Sequence, residues 1–147
     1  MIDLKPGDLH LILDAGQRSS KLFKPNVTLI FGCEARNRTV NEGEGHWGHC
    51  PPGEYCLGAP RAKNTVPFGP YFVPIVDFGN FHTMRDFGRE GIGLHGGGSG
   101  LPDPFAPRQG WQITEGCWRY QNEDISHLVV LVKPIQMAGG VVYCTVV

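Results

Sequence analysis

The chain has 147 residues, of which 41% are hydrophobic and 18% are charged, and its formal net charge is −1. This length fits one domain, residues 1–147. The basic residues are scattered, so charge gives no reason to expect nucleic acid or an anionic membrane as a partner. No apolar run reaches the roughly 18–20 residues that span a bilayer. The 21 glycines and 12 prolines favour a turn-rich, mainly β protein.

The N-terminal segment, MIDLKPGDLHLILDAGQ, carries two early acidic residues and has neither a basic region nor a long apolar region. It therefore lacks the pattern of a signal peptide, and we expect synthesis in the cytoplasm. The five cysteines are an odd number, so internal disulfides cannot pair all of them. Without a secretion signal, reduced thiols are expected.

The first third of the chain predicts three strands and a long loop. Leucines alternate from Leu9 to Leu13 and a turn signal follows at 14–16, which is typical of a strand entering a hairpin. The segment SSKLFKPNVTLIFGC predicts a second strand and a third that ends near Gly32. The polar stretch from Glu34 to Glu54 predicts a surface loop, and loops of that length are often functional.

Four later segments predict short strands. They are EYCLGAP, the β-branched and aromatic PYFVPIVDF, a segment ending at His95, and VVYCTVV at residues 141–147. Because a proline cannot donate to the sheet, Pro74 in the second of these predicts an edge or bulged position. The strand ending at His95 precedes a loop rich in glycine and proline.

One helix is predicted, beginning near Asn122, which has a residue type suited to capping it. The acidic residues at 123 and 124 suit a first helical turn. Four apolar residues recur at i, i+3, i+4 and i+7 and so form one face; they are Ile125, Leu128, Val129 and Val132. Pro134 is expected to end the helix.

His95 and Cys117 each lie beside glycine, and together they suggest acyl-transfer chemistry. A thiolate is a strong nucleophile once an imidazole takes its proton. Adjacent glycines allow backbone N–H groups to approach a reacting carbonyl and form an oxyanion hole. On spacing alone, a buried free thiol and a loop histidine that makes only structural contacts are the commoner explanation.

Longer motifs favour the catalytic hypothesis. HGGG, TEGCWR and NEDISHLVVLV occur in an order that resembles the L,D-transpeptidase (YkuD-like) family. Upstream, CPPGEYCLGAP resembles the family's turn and strand, and DFGREGIGLHGG resembles a pattern of a subgroup that includes short type VI secretion effectors without signal peptides. The resemblance runs from about Pro51 to Val132. It implies a mainly β sandwich or barrel with one short helix after the catalytic cysteine.

The resemblance assigns roles to six residues. Cys117 would be the nucleophile and His95 the general base, and the N–H groups of Gly116 and Cys117 would be candidates for the oxyanion hole. Arg119 would hold the loop or an acidic substrate group, or form a structural salt bridge. The two remaining residues would act nearby: Thr114 would position the cysteine turn, and Gly96 would let the donor peptide approach. The N-terminus of the following helix would favour an anion such as the thiolate.

Three departures from the family pattern stand out. His95 and Cys117 lie 22 positions apart, a longer gap than is usual, and the insert SGLPDPFAPRQGW would lengthen the loop over the site. Glu115 places a carboxylate two residues before the thiol and would disfavour the thiolate if it pointed inward. Trp118 replaces a smaller aliphatic residue. These changes would narrow substrate choice or mark a member that has lost activity.

A rival site combines four potential zinc ligands: His46, His49, Cys50 and Cys56. These residue types suit zinc, but their spacing matches no common zinc module. Trp47 and Trp111, on loops, have side chains that can stack on a ligand, although partial burial is their commoner role.

The resemblance implies an enzyme that transfers acyl groups on peptidoglycan stem peptides through a thioester on Cys117. Transpeptidation, exchange of a D-amino acid and L,D-carboxypeptidation are all compatible with it, and no metal or organic cofactor is required. The protein would act on the cell wall after export by a non-Sec route, lysis or virion delivery, with secretion-system or virion proteins as partners. The alternative hypothesis is a catalytically idle member that serves as a structural or wall-binding module.

Overall fold

The structure is a computed structural model that describes residues 2–38 and 48–147, and these ranges contain nine strands and two helices. The strands are β1 (Leu9–Asp14), β2 (Ser19–Phe23), β3 (Leu29–Arg36), β4 (Gly53–Leu57), β5 (Arg61–Thr65), β6 (Gly69–Val76), β7 (Gly93–His95), β8 (Trp118–Tyr120) and β9 (Val142–Val146). The helices are α1 (Thr83–Asp86) and α2 (Asn122–Met137). Residues 39–47 of the predicted long loop lie outside the described residues.

Eight of the strands form a closed barrel. The strand order is β4-β9-β1-β2-β3-β8-β7-β6, and the ring closes because β4 pairs with both β9 and β6. Two neighbouring pairs, β1–β9 and β7–β8, are parallel, whereas the others are antiparallel. β5 pairs with β6 outside the ring. Closure leaves few unpaired strand edges, and the protein is mainly β as predicted.

The barrel interior follows from the alternation seen in the sequence. Along β1, Leu9, Leu11 and Leu13 are buried while the residues between them are partly exposed. Full burial of one such leucine contributes about 1.5–3 kcal/mol. One polar pair crosses this interior: the hydroxyls of Ser20 on β2 and Tyr120 on β8 lie 2.6 Å apart, and both residues are fully buried.

Helix α2 packs the predicted apolar face against β6, β7 and β9, and all four of its apolar residues are buried. The helix differs from the prediction at both ends. Gln121 occupies the cap position and Asn122 is the first helical residue. Pro134 lies inside the helix, which continues to Met137 because Pro134 and Val130 are on its exposed face, where water can reach the carbonyl that proline leaves unbonded. Within the described ranges, neither helix has the length and apolarity needed to cross a bilayer.

Of the two positions predicted for Pro74, an edge strand is wrong, because β6 has partners on both sides. β6 pairs with β5 through residues 69–72 and with β4 through Ile75 and Val76, so Pro74 falls where one partner replaces the other. The missing N–H therefore interrupts no ladder on that side, and the Pro74 carbonyl still accepts a hydrogen bond of 2.8 Å from Gly58. The short elements β5, β8 and α1 were not predicted.

Replacing Tyr120 with phenylalanine tests the polar pair in the core. Tyr120→Phe removes the hydroxyl that bonds Ser20, and we expect the free energy of unfolding to fall by about 1–2 kcal/mol. Urea unfolding measures this change. Tyr143→Phe, at a partly exposed position, is the control and should change stability by no more than about 0.5 kcal/mol. Equal effects from both variants would contradict the assignment.

Candidate active site

A cleft of about 840 Å³ brings the predicted catalytic residues together. Its walls are the segment 88–92 before β7, the residues at 67 and 68 before β6, and the segment 113–115 before β8. Cys117, His95 and Arg119 all line it. Thr114 also lines the cleft. Gly96 and Gly116 do not line it, but each is adjacent in the chain to a residue that does.

Parallel pairing of β7 with β8 explains why residues so distant in sequence meet. His95 pairs with Arg119, and Leu94 pairs with Trp118. Because side chains alternate along a strand, Cys117 lies on the same side as Arg119 and His95, while Leu94 and Trp118 face the core. Both core residues are fully buried. Trp118 therefore does not line the cleft.

The imidazole of His95 is held in one tautomer. Its Nδ1–H donates to the carbonyl of Gly96 at 2.7 Å, since a carbonyl can only accept. The same carbonyl accepts a hydrogen bond of 2.7 Å from Nη1 of Arg119. Nε2 is then the nitrogen that remains for proton exchange. Arg119 is buried and also donates to the Gln112 carbonyl at 2.9 Å, so its described partners are carbonyls and not a carboxylate.

Burial makes the neutral forms of both reactive groups the stable ones. Burial is the main cause of a His95 pKa of about 4; the Gly96 hydrogen bond opposes this shift, and the nearby charge of Arg119 adds to it. Burial also raises the pKa of the Cys117 thiol, despite a backbone hydrogen bond from Gly93 and the charges of Arg119 and Arg89. These shifts favour a neutral thiol in the free protein, and Sγ of Cys117 contacts the Gly91 carbonyl at 3.5 Å.

Two side chains hydrogen-bond the turn that carries Cys117. The Thr114 hydroxyl donates to the Cys117 carbonyl, which places Thr114 where the sequence predicted a positioning residue. Asn37, at the end of β3, donates to the carbonyls of Gly116 and Cys117 at 2.7 and 2.9 Å. No hydrogen bond between described residues uses the N–H of Gly116 or Cys117, so both stay candidates for an oxyanion hole.

Arg89 is a site residue to which the sequence analysis gave no role. Its guanidinium donates to the carbonyl of His49 at 2.8 Å and to that of Glu115 at 3.1 Å. It also fills the space beside Gly116, where a Cβ would overlap it. Glu115 itself is half exposed and pairs with Arg38 at 3.3 Å. The Gly-Arg pattern before β7 was the signal, but nothing in it indicated which backbone groups the arginine binds.

Gly96 lies against the side chain of Asn122. A Cβ at this position would overlap Oδ1 of Asn122, so the missing side chain makes room for Asn122, and the approach of a donor peptide stays a prediction. Oδ1 of Asn122 accepts a hydrogen bond of 2.8 Å from the Gly97 N–H. Its Nδ2 donates to the carbonyls of Pro104 and Ala106 at 2.8 and 2.7 Å. One buried amide thus joins the turn after His95 to the inserted loop.

The insert does not cover the cleft, which corrects a further prediction. Gln109 is buried and its Nε2 donates to the carbonyls of Tyr120 and Gly97 at 2.8 and 3.3 Å. Its Oε1 accepts from the N–H of Asn122 at 2.7 Å, and the carbonyl of Pro107 accepts from that of Glu123. The insert therefore accepts hydrogen bonds from the first N–H groups of α2. Stabilisation of a thiolate by this helix terminus stays a prediction.

The rival zinc site is only partly described. His46 and Trp47 lie outside the described residues. Cys50 is buried and its N–H donates to Asn37 at 2.8 Å, while Cys56 lies on β4. Within the ranges 2–38 and 48–147, no group of three or more histidine, cysteine and acidic side chains is arranged to hold a metal ion. All five cysteines are free thiols.

Comparison with known structures identifies the architecture as the L,D-transpeptidase fold, as predicted. The helical cell shape determining protein Pgp2 from Campylobacter jejuni is similar with a TM-score of 0.66 and 16% identity over 95% of this chain and 47% of that structure. An L,D-transpeptidase from Mycobacterium smegmatis is similar with a TM-score of 0.57 and 10% identity over 95% of this chain and 58% of that structure. For an L,D-transpeptidase from Stackebrandtia nassauensis the TM-score is 0.52, with 14% identity over 87% of this chain and 52% of that structure.

The chain thus spans about half the length of the structures it resembles. Searches against protein families and against curated proteins found no match to this sequence. At these identities the similarity establishes the fold, and the chemistry of the site has to be argued from its own residues.

The lowered pKa of His95 predicts a pH-dependent stability. Because this pKa is about 4 in the folded protein and near 6.5 when unfolded, the unfolded chain takes up the extra proton as pH falls between these values. The contribution of neutral His95 is complete above pH 6.5 and falls by up to about 3 kcal/mol towards pH 4. Urea unfolding at pH 7.5 and 4.5 should show a smaller pH-dependent loss in His95→Gln than in the parent. Identical losses would contradict burial of the imidazole.

Gln109→Glu tests the attachment of the insert. The substitution replaces a donor with a carboxylate oxygen that faces two carbonyls, so we expect the free energy of unfolding at pH 7 to fall by at least about 2 kcal/mol. Gln17→Glu makes the same chemical change at an exposed position and should change stability by less than about 0.5 kcal/mol. Denaturant unfolding of both variants decides the matter, and a neutral Gln109→Glu would show that the insert is not held through this amide.

Proposed function

We propose that this chain transfers acyl groups on peptidoglycan stem peptides through a thioester on Cys117. The observation that carries the proposal is the Gly96 carbonyl, which fixes His95 through Nδ1 while Nε2 remains for a thiol in the same cleft. The fold is that of L,D-transpeptidases, whose name states a transfer between peptides. That likeness supports the substrate class without establishing it.

In the first step, Sγ of Cys117 attacks the amide carbonyl carbon between an L-centre and the terminal D-residue. Nε2 of His95 takes the thiol proton as the C–S bond forms, which separates charge only when substrate is present. The tetrahedral oxyanion would be bound by the N–H groups of Gly116 and Cys117. The C–N bond then breaks, and His95 returns the proton to the departing amine.

In the second step, an amine or water attacks the thioester carbonyl. The C–S bond breaks, the attacking group loses a proton to His95, and Cys117 recovers its proton as the free thiol. A peptide amine gives transpeptidation, a free D-amino acid gives exchange, and water gives carboxypeptidation. Arg119 acts in both steps as a positioning residue, because it fixes the carbonyl that orients the imidazole.

The alternative is a wall-binding module without catalysis. The raised pKa of Cys117 and the lowered pKa of His95 favour it, because they leave the free protein without a thiolate. The enzyme hypothesis accounts for the same values, since a neutral thiol and a neutral imidazole are the required starting forms for general-base attack. Activity therefore separates the two hypotheses, and thiol reactivity in the free protein does not.

The substrate class carries a proposal about location. Stem peptides lie outside the cytoplasmic membrane, so the protein would act at the cell wall. A type VI secretion system, lysis or a virion would each deliver it there, and the motif around Arg89 supports the first. Cell fractionation of the producing strain, with and without a functional secretion apparatus, tests this part independently of the chemistry.

Muropeptide mass spectrometry tests the proposed function. Parent protein, Cys117→Ala and Cys56→Ala would each be incubated with tetrapeptide-rich peptidoglycan and a free D-amino acid. We expect the parent and Cys56→Ala to remove or exchange the terminal D-residue, and Cys117→Ala to be at least about a thousandfold slower because it lacks the nucleophile. Cys56 is a matched control, since it is a half-buried thiol on β4 away from the cleft.

The mass of the product identifies the second step. Loss of one residue indicates hydrolysis, replacement indicates exchange, and a cross-linked dimer indicates transpeptidation. If an established L,D-transpeptidase is active on the same material and none of the three proteins is, the binding module becomes the better account.

A further inference from the structure

A second, smaller pocket lies across the segment that precedes the nucleophile. Its volume is about 170 Å³, and Ile113 and Thr114 line both this pocket and the catalytic cleft. The cleft lies on the β6 and β7 side of this segment, and the small pocket lies on the side of β3 and the β1–β2 turn. Thr114 also bonds the Cys117 carbonyl. The segment between the two cavities therefore contacts the turn that carries Cys117.

Arg18 occupies a backbone conformation that ordinarily selects glycine or asparagine. Its φ is 53°, in the left-handed region, at the turn between β1 and β2. The turn is fixed there because the Arg18 N–H donates to Ala15 and its carbonyl accepts from the Ala35 N–H at 3.1 Å. A long cationic side chain at such a position is disfavoured by the backbone. Arg18 is an exposed residue that lines the pocket, and its position there suggests a role for the side chain.

Arg36 supplies the second guanidinium and is held rigidly. Its Nε donates to Glu34 at 2.6 Å, and its Cζ lies 4.4 Å from the centroid of the Trp111 ring. Stacking on an indole and pairing through Nε leave the Nη groups to bind a ligand. Trp111 was predicted to lie on a loop with a ring able to stack on a ligand. Its ring instead stacks against Arg36.

Most of the other polar side-chain atoms that line the pocket already form hydrogen bonds within the protein. The Asn37 amide is bonded to the carbonyls of Gly116 and Cys117 and to the Cys50 N–H. Oε1 of Gln112 accepts from the Gly100 N–H at 2.8 Å. The charged donors in the lining are therefore the two guanidinium groups, and Nε2 of Gln112 is a further, neutral donor. Such a pocket selects an anion, and planar guanidinium groups match a carboxylate.

We propose that the pocket formed by Arg18, Arg36 and Trp111 binds the carboxylate of the amino acid or peptide whose amine accepts the acyl group. This inference rests on the proposed function, which requires an acceptor. The volume of about 170 Å³ has room for a carboxylate and its Cα substituents, whereas a donor peptide needs the larger cleft. A carboxylate held here directs its α-amine across Thr114 towards the thioester.

The bound acceptor then completes the second step. Its uncharged amine attacks the thioester carbonyl carbon, the C–N bond forms and the C–S bond breaks. One amine proton passes through His95 to the sulfur of Cys117, so the product is an amide and a free thiol. Water needs no carboxylate site, and the pocket therefore favours exchange or cross-linking over hydrolysis.

The first experiment measures how the thioester partitions. Parent, Arg18→Gly and Arg61→Ala would be given tetrapeptide substrate with D-methionine, and the ratio of exchanged to hydrolysed product would be read by mass spectrometry. Arg18→Gly removes the guanidinium while suiting the left-handed backbone, and we expect the ratio to fall about tenfold or more. Arg61→Ala removes an exposed arginine on β5 and should leave the ratio at the parent value. An unchanged ratio in Arg18→Gly would overturn the proposal.

A second experiment stands even if no acyl transfer is found. NMR titration of Cys117→Ala with D-methionine and with D-methioninamide compares a free carboxylate with a neutral amide. We expect tighter binding of D-methionine, with shifts at Trp111, and loss of that preference when Arg18→Gly is added, with partial recovery in Arg18→Lys. Equal binding of the two compounds, or a preference that survives Arg18→Gly, would refute the carboxylate site. Catalytic inactivity together with this preference would refute only the proposed function.

Discussion

The arrangement of the site depends on one carbonyl oxygen, that of Gly96. It accepts hydrogen bonds from His95 and Arg119, and both donors reach it because β7 and β8 run parallel with those two residues in register. Gly96 has no side chain, so Asn122 can lie against the same turn. The orientation of the base, the burial of the arginine and the attachment of α2 therefore follow from a single backbone position.

This arrangement places two cationic or potentially cationic groups around one dipole in a poorly solvated site. Burial first, and then the permanent charge of the guanidinium, lower the pKa of the imidazole and favour its neutral form. The thiol is likewise neutral because burial outweighs the nearby positive charge. Under the proposed function, substrate creates the reactive state, because it brings the developing oxyanion and excludes the remaining water. A site organised in this way protects its cysteine from incidental oxidation, because oxidation requires the thiolate.

Much of the fold could be predicted because the barrel relies on local patterns. Alternation along β1 and the helical face from Ile125 to Val132 are direct records of burial. The motifs around His95 and Cys117 identified the residues that line the cleft. Other features depend on contacts distant in sequence: the position of Asn37, the hydrogen bonds of Gln109 and the direction of the pKa shifts. The structural effects of Pro74 and Pro134 could not be predicted from the sequence. Whether a missing N–H removes a hydrogen bond depends on the three-dimensional arrangement around it.

The place of β9 in the ring has a consequence for how the protein is made. β9 is the last strand of the described chain, yet it lies between β1, the first strand, and β4. On the ribosome, β1, β2 and β3 can pair as soon as they emerge, but β1 keeps an open edge until Val146 has been synthesised. The apolar edge of β1 therefore stays exposed while the residues between β1 and β9 are synthesised. Such an edge can pair with other strands and so promote aggregation. We therefore expect chaperones that bind extended apolar segments to bind this nascent chain.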